Sequence, residues 1–166
     1  MNSAGANALY PPIAIPLWRP DPIGWQPVLN GSPMHSHDTR PPILISDIDK
    51  QQLGKLARSA INRVPEVAEE LQFELERAEV CPHSKVPPNV VRMHSVVRFR
   101  TDKGTEHQVE LVYPEEADII RDRLSVLTPI GAALIGLSEG QTMSWTDREG
   151  QPRHLSVLEV TAAFQD

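Results

Sequence analysis

The chain has 166 residues, of which 40% are hydrophobic and 23% charged, and this suits one modest soluble domain with an additional segment. Acidic residues outnumber basic residues by 22 to 16, and the net charge of −6 argues against a broad nucleic-acid-binding face while leaving weak DNA contact open. The single cysteine, Cys81, excludes a disulfide framework within the chain and favours a reducing, cytoplasmic location.

Residues 1–42 differ in composition from the rest of the chain. They hold nine of the 16 prolines, two of the three tryptophans and only four charged residues. Because they show neither a helical nor an alternating pattern, we expect a disordered, proline-rich tail. We interpret the first 33 residues either as a dispensable extension or as an untranslated stretch upstream of a start at Met34.

Residues 43–80 are predicted to form an antiparallel helical hairpin, a short coiled coil. Ser46, followed three residues later by Asp49, resembles a capping box at the start of the first helix, and Pro65 suits the first position of the second. Apolar residues recur at helical spacing on both sides of a turn at 62–64: Ile48, Leu53, Leu56, Ala60 and Ile61, then Val67, Leu71, Leu75 and Ala78. Helices of about 15 residues would each be roughly 22 Å long.

Residues 81–89 are predicted to be a linker, because they hold three prolines and no periodicity. Over residues 90–163 the hydrophobic period changes to two. Alternating runs bounded by turn signals predict a small antiparallel sheet with strands at 91–100, 109–113, 141–146 and 153–160. Three arginines of the first run fit either a solvated strand face or a modest basic patch: Arg92, Arg98 and Arg100.

The segment LSVLTPIGAALIGLSEG, residues 124–140, has only two polar side chains before Leu137. It is too short and too often interrupted by proline and glycine to cross a membrane, which takes about 20 apolar residues. Thr128 can cap a helix, and Pro129 suits the first helical position. We therefore predict a short strand and then one short buried helix that closes the core of the sheet.

The sequence contains no motif that predicts a catalytic residue, a metal or a cofactor. Its glycines form neither of the common phosphate-binding loops, and its six histidines lack zinc-site spacing. His35 and His37 could hold a metal only weakly. A thiol near an imidazole, at Cys81 and His83, is not a nucleophilic centre without a fold that orients both.

Five stretches of the sequence together resemble a known family. They read RPPILISDIDKQQLGKLA, ELERAEV, VPPNVVRMHS, LVYPEEAD and SVLTPIGAALIGL. They are similar to the Rnk-type regulators of nucleoside diphosphate kinase, within the Gre transcription elongation factor family. The resemblance covers about residues 40–160, and its most specific parts are LVYPEEAD and SVLTPIGAALIGL.

The resemblance implies an α+β protein whose residues 90–163 have an FKBP-like fold and whose partner is RNA polymerase. Gre factors dock this domain on the rim of the polymerase secondary channel, and acidic residues at the tip of their long hairpin help to hold a catalytic Mg²⁺. Rnk-type proteins have a shorter hairpin and are expected to occupy the same site without promoting transcript cleavage. By resemblance, the residues facing the polymerase are Asp118, Ser125, Thr128 and Pro129.

The predicted hairpin tip agrees with the shorter, Rnk-type hairpin. It consists of Asn62 and Arg63 at the turn, with Glu66, Glu69 and Glu70 just inside the second helix. A metal-holding tip needs adjacent oxygen ligands, whereas Arg63 places positive charge at the turn itself. The glutamates fit either a favourable helix start with a solvated face or contact with a basic or metal-bearing wall of the channel.

Two other classes of function remain as alternatives to a monomeric, non-enzymatic polymerase regulator. An FKBP-like fold would fit a peptide- or protein-binding module or a prolyl isomerase, although only Phe99, Tyr113 and Trp145 are aromatic between residues 90 and 160. Direct binding to nucleoside diphosphate kinase is the other alternative. Because no nucleotide-binding loop is present, we expect any effect on that kinase to act through transcription.

Overall fold

A computed structural model of the protein describes residues 40–147 and 149–162. The predictions for the proline-rich tail and for a start at Met34 lie outside the described residues, except at the last three positions of the tail. Within the described ranges, no helix is long and apolar enough to cross a membrane.

Two helices joined by a short turn precede the sheet: α1, Asp47–Ala60, and α2, Pro65–Arg77. The Ser46 hydroxyl caps α1 by accepting a hydrogen bond from the Asp49 N–H at 2.9 Å, which is the Ser46 half of the predicted capping box. The apolar residues predicted to form the buried face of α2 are buried. The predicted buried face of α1 is wrong at Ile48, which is 46% exposed. The buried face of α1 is displaced by one position, because Asp49 rather than Ile48 points inward above Leu53.

A two-stranded parallel ladder joins the ends of these helices. Strand β1, Leu44–Ser46, pairs with β2, Glu79–Cys81, and neither strand is predicted by the sequence. Since β1 leads directly into α1 and β2 follows α2, the pairing brings the start of α1 beside the end of α2. The two helices therefore run in opposite directions.

The second sheet has five strands in the order β5-β4-β3-β7-β6. Their bounds are β3 Val96–Thr101, β4 Glu106–Val112, β5 Arg123–Ser125, β6 Thr142–Thr146 and β7 Pro152–Thr161. The fold is mixed α+β, as predicted, but the sheet is not fully antiparallel, because β5 runs parallel to β4. After β4, the chain therefore has to cross back to the end at which β4 begins before it enters β5.

The first predicted strand of this sheet begins five residues too early. Residues 91–95 form a turn, in which the non-glycine residue His94 has a left-handed backbone with φ of 66°. The Ser95 hydroxyl accepts a hydrogen bond from the Arg92 N–H at 3.0 Å and closes this turn. The residue types alternate through this turn, with Val91 and Met93 set between Arg92 and His94, although burial does not. Period two in the sequence alone therefore misplaced the start of β3.

A third helix, α3, Pro129–Leu134, closes the core beneath the sheet. The run that contains it supplies several fully buried side chains, among them Leu134, Ile135 and Leu137. These side chains belong to one apolar cluster with Leu53 of α1, Leu71 of α2 and the inner face of the sheet. The helices and the sheet therefore share a single core, and residues 131–137 are buried in its interior.

Candidate partner-binding surface

The chain between β4 and β5 exposes two adjacent large apolar side chains. Ile119 and Ile120 are 92% and 89% exposed, and both lie in one turn of 3₁₀ helix, Ile119–Arg121. We call residues 114–122 the isoleucine loop. Exposed apolar area of this kind is unfavourable in water, and burial against an apolar partner surface would relieve it.

The isoleucine loop is held by Asp118. Its carboxylate caps the 3₁₀ turn by accepting a hydrogen bond from the Ile120 N–H at 3.0 Å. Its backbone exchanges hydrogen bonds with Arg123 at 3.1 and 2.9 Å, and Asp122 closes the turn with a left-handed φ of 55°. The structure therefore gives Asp118, a predicted contact residue, a positioning role for the two isoleucines.

The isoleucines themselves were missed by the sequence analysis. The available signal is an apolar pair set among charged residues, ADIIRDR, where neither helical nor alternating periodicity accounts for it. Such a pair in a polar turn has no place in a core and is typical of a contact surface.

The hydroxyls of Ser125 and Thr128 are used within the fold. Ser125 Oγ accepts a hydrogen bond from the Leu127 N–H at 3.0 Å. Thr128 Oγ1 donates to the Ser125 carbonyl at 2.8 Å and accepts from the Gly131 N–H at 3.0 Å, so that it caps α3 as predicted. These hydrogen bonds tie the end of β5 to the start of α3.

Pro129 borders an open groove of about 580 Å³, which we call the Pro129 groove. Its apolar part includes Leu124, Ile130 and Trp145, and its edge carries charged side chains, among them Asp147. The Gln151 N–H and then the Arg153 guanidinium donate hydrogen bonds to Asp147 and hold the pKa of its carboxyl below the usual value. The groove thus combines an apolar floor with a charged edge.

A second groove of about 310 Å³ adjoins the first and also contains Pro129 and Trp145. Its opposite wall is the start of α2, with Glu66 and Glu70. The structure therefore brings two of the glutamates discussed for the hairpin tip to the same groove as Pro129. Glu70 is also hydrogen-bonded to Arg40 at 2.6 Å, which gives it a structural role.

Of the remaining predicted tip residues, Asn62 and Arg63 lie in the turn at residues 61–64, and Glu69 lies on α2. Asn62, Arg63 and Glu69 are exposed. The N–H groups of Arg63 and Val64 both donate to the Ala60 carbonyl, at 2.9 and 3.0 Å, and close the turn. Within residues 40–147 and 149–162, no group of histidine, cysteine or acidic side chains is arranged to hold a metal ion.

The arginines of β3 are matched by acidic neighbours. Arg98 forms ion pairs with Glu106 at 3.1 Å and Glu159 at 3.0 Å, and Arg100 pairs with Glu106 at 2.7 Å. Arg92 lies outside the strand. The structure therefore favours a solvated strand face over a basic patch.

Comparison with known proteins identifies the family. Residues 41–80 match the family described as Rnk N-terminus, and residues 86–162 match the C-terminal part of the GreA/GreB transcription elongation factors. The chain is 37% identical over 123 residues to the regulator of nucleoside diphosphate kinase of Escherichia coli K12, a match that spans 74% of this chain and 90% of that protein. The chain belongs to the Rnk family.

The Rnk family assignment includes a relationship to Gre factors. The chain is 38% identical over 77 residues to the transcription elongation factor GreA of Thermodesulfovibrio yellowstonii, which covers 46% of this chain and 49% of that protein. A solved transcription elongation factor GreA/GreB from Nitrosomonas europaea is 36% identical, with a TM-score of 0.58 over 72% of this chain and 98% of that one. These relatives carry the names of regulators or transcription factors rather than enzymes.

Proposed function

We propose that this Rnk-family chain binds RNA polymerase as a monomer, at the rim of the secondary channel where Gre factors dock, and does not promote transcript cleavage. In this proposal residues 90–163 are an FKBP-like docking domain, and residues 43–80 are a short coiled-coil hairpin of which only the tip, at residues 61–64, points into the channel. Any influence on nucleoside diphosphate kinase levels then follows from altered transcription.

The observation that carries the proposal is the isoleucine loop. It lies in the part of the chain that matches the GreA/GreB C-terminal family, which by resemblance is the docking part of Gre factors. It offers two almost fully exposed isoleucines on a backbone fixed by the Asp118 cap. Apolar side chains that are rigidly presented before binding lose little conformational entropy in a complex, so they contribute strongly to affinity.

The absence of cleavage activity is supported by the length and chemistry of the helical part. Helices of 14 and 13 residues are roughly 21 and 20 Å long, which is much shorter than the Gre hairpin. The turn exposes Asn62 and Arg63, and the first acidic residue, Glu66, lies inside α2. A hard divalent cation needs several oxygen ligands close together, which this turn does not offer.

A competition experiment on purified RNA polymerase tests the proposal. The full chain is titrated against a Gre factor in a transcript-cleavage assay on stalled elongation complexes. We expect it to displace the Gre factor and stop cleavage, and to produce no cleavage when added alone. Failure to compete at any concentration, or cleavage by the chain itself, would contradict the proposal.

A second candidate function, peptide binding in the Pro129 groove, is favoured by Trp145. Its side chain is 8% exposed, and within the described residues its indole Nε1 is buried without a hydrogen-bond acceptor. A peptide carbonyl in the groove could accept from this N–H after a small shift of the side chain. Prolyl isomerisation of a model peptide measures this function, and a rate equal to the uncatalysed rate would exclude the isomerase.

A pull-down with purified proteins distinguishes direct binding to nucleoside diphosphate kinase from binding to RNA polymerase. The tagged full chain is incubated with each purified protein in turn. Under the proposal it retains RNA polymerase and not the kinase, whereas retention of the kinase alone would replace the proposal.

A further inference from the structure

A polar cavity of about 810 Å³ lies between α1, the turn at residues 91–95 and the start of the isoleucine loop. It shares no residue with the Pro129 groove. The side chains that carry its chemistry are Asp49, Gln52, His94, Tyr113, Glu116 and Arg123. Neither the family match nor the proposed polymerase contact assigns a role to this cavity.

Asp49 is the unusual member of the lining. It is 6% exposed, and within the described residues its Oδ2 atom is buried without a hydrogen-bond donor. A buried acceptor that lacks a partner is unfavourable, and more so when it is charged. The cap of α1 does not use this oxygen, because it joins the Ser46 hydroxyl to the Asp49 N–H.

Three acidic side chains act on the Tyr113 hydroxyl. Burial raises the pKa of the Tyr113 hydroxyl, and the charges of Asp49, Glu116 and Glu115 raise it further. Two of the neighbouring basic groups already have acidic partners. His94 Nε2 lies 2.9 Å from Glu116, and Arg123 Nε donates to Glu110 at 3.1 Å. Among these lining groups, Asp49 is left without a counter-charge.

Arg92 and His83 also line the cavity, so its surface is not uniformly acidic. The specific feature is a single enclosed carboxylate beside an aromatic ring. A metal ion is a poor match, because hard cations need several oxygen ligands and the described residues hold no metal-binding cluster. An ammonium group has three donors, can satisfy one carboxylate and is attracted to an aromatic face.

We propose that this cavity binds a small organic amine, whose ammonium group donates a hydrogen bond to the Asp49 carboxylate. Oδ2 is closed to water in the structure, so an amine reaches it through a small movement of the lining. Gln52 is exposed and accepts a hydrogen bond from the Tyr113 hydroxyl at 2.6 Å. Displacement of the Gln52 side chain would open the cavity and free the Tyr113 hydroxyl for the ligand.

Isothermal titration calorimetry of the full chain with 1,4-diaminobutane tests this site. We expect saturable binding that is at least tenfold weaker in Asp49→Asn and unchanged within twofold in Asp47→Asn. Asp47 is an exposed carboxylate in the same helical turn and does not line the cavity, so its variant matches the loss of charge. Its Oδ1 accepts a hydrogen bond from the N–H of the lining residue His83 at 3.1 Å, and the asparagine oxygen retains this acceptor. The uncharged analogue butane-1,4-diol should not bind.

A second measurement keeps the inference testable if Asp49→Asn fails to fold. In the parent chain, 1,4-diaminobutane should shift the NMR signals of Asp49, His94 and Tyr113 and leave the Trp145 indole signal of the Pro129 groove unchanged. The inference is overturned if the parent shows no saturable binding, if both aspartate variants bind equally, or if shifts spread over exposed acidic residues.

Discussion

The turn between α1 and α2 and the isoleucine loop both connect regular elements, yet they expose different chemistry. The turn exposes Asn62 and Arg63 and is closed by two backbone hydrogen bonds to one carbonyl. The loop exposes Ile119 and Ile120 and is held by a carboxylate cap. Of these two connections, only the isoleucine loop therefore offers fully exposed apolar side chains, whereas the turn offers polar and charged groups.

The helical region should be most sensitive at its buried charge, far from the turn. Glu74 is fully buried and accepts hydrogen bonds from Arg40 and from Arg77 Nε, the latter at 2.8 Å. Glu74→Ala would leave both guanidinium groups without this partner and should lower the free energy of unfolding by about 3–5 kcal/mol. Urea denaturation measures the loss.

The matched variant Glu69→Ala removes an exposed carboxylate of the same helix. It should change the free energy of unfolding by less than about 0.5 kcal/mol. Equal effects at Glu69 and Glu74 would show that the buried charge does not stabilise the helical region.

Two glycine-to-alanine variants compare the packing of α1 with that of α3 against the end of β5. A Cβ at Gly131 would lie 2.2 Å from the Ser125 carbonyl oxygen, so Gly131→Ala must push α3 away from β5. We expect a loss of roughly 3 kcal/mol in the free energy of unfolding. In α1 a Cβ at Gly54 meets only a flexible arginine tip at 3.4 Å, so Gly54→Ala should stabilise by up to about 1 kcal/mol.

Thermal unfolding of the two glycine variants should therefore move in opposite directions. A Gly131→Ala chain as stable as the parent would mean that the hydrogen bonds of Ser125 and Thr128 do not require the close approach seen in the structure.

The role of the isoleucine loop in binding can be tested by adding the same charge at two exposed isoleucines, one in the loop and one on α1. Ile120→Asp should weaken RNA polymerase binding by roughly 30-fold, or about 2 kcal/mol, because it removes an apolar anchor. Ile48→Asp introduces the same charge at a half-exposed site on α1 and should change affinity less than threefold. Fluorescence anisotropy of the labelled chain measures both.

Both isoleucine variants should unfold like the parent, since neither side chain lies in the core. Equal weakening by the two variants would indicate a general charge effect and remove the isoleucine loop from the proposed contact.

The smallest expected effect is the dependence of stability on pH through the Glu116 carboxyl. His94 donates a hydrogen bond to Glu116 and holds the pKa of that carboxyl below its usual value of 4.5. A lowered pKa in the folded state means that this stabilisation is present above pH 4.5 and is lost as the pH falls through the lowered pKa. In His94→Ala the Glu116 pKa, measured by carboxylate NMR, should rise towards 4.5; an unchanged pKa would rule out His94 as the main cause.

The sequence predicts the helices and the α3 cap well, because their signals are local. Ser46, Pro65 and Thr128 act within one helical turn, and the apolar spacing of α2 needs no knowledge of its neighbours. The Rnk-family resemblance is confirmed as well. Strands β1 and β2 were missed because three residues are too few to show periodicity, and their pairing depends on two helices folding back.

The candidate surface was less predictable. Asp118 was selected by resemblance, but its contribution as a cap depends on a 3₁₀ turn that periodicity does not reveal. The exposure of Ile119 and Ile120 depends on where the chain between β4 and β5 runs, and that follows from the parallel pairing of β5. Contact with the polymerase at Asp118, Ser125, Thr128 and Pro129 stays a prediction.

Site-specific photo-crosslinking is the most direct test of the central claim, that the isoleucine loop contacts RNA polymerase. A photoreactive amino acid is placed at position 120 in one full-length chain and at position 48 in another, and each is irradiated with purified polymerase. We predict a strong crosslink from position 120, competed away by a Gre factor, and little or none from position 48. No crosslink from position 120, or one that a Gre factor does not reduce, would contradict the account.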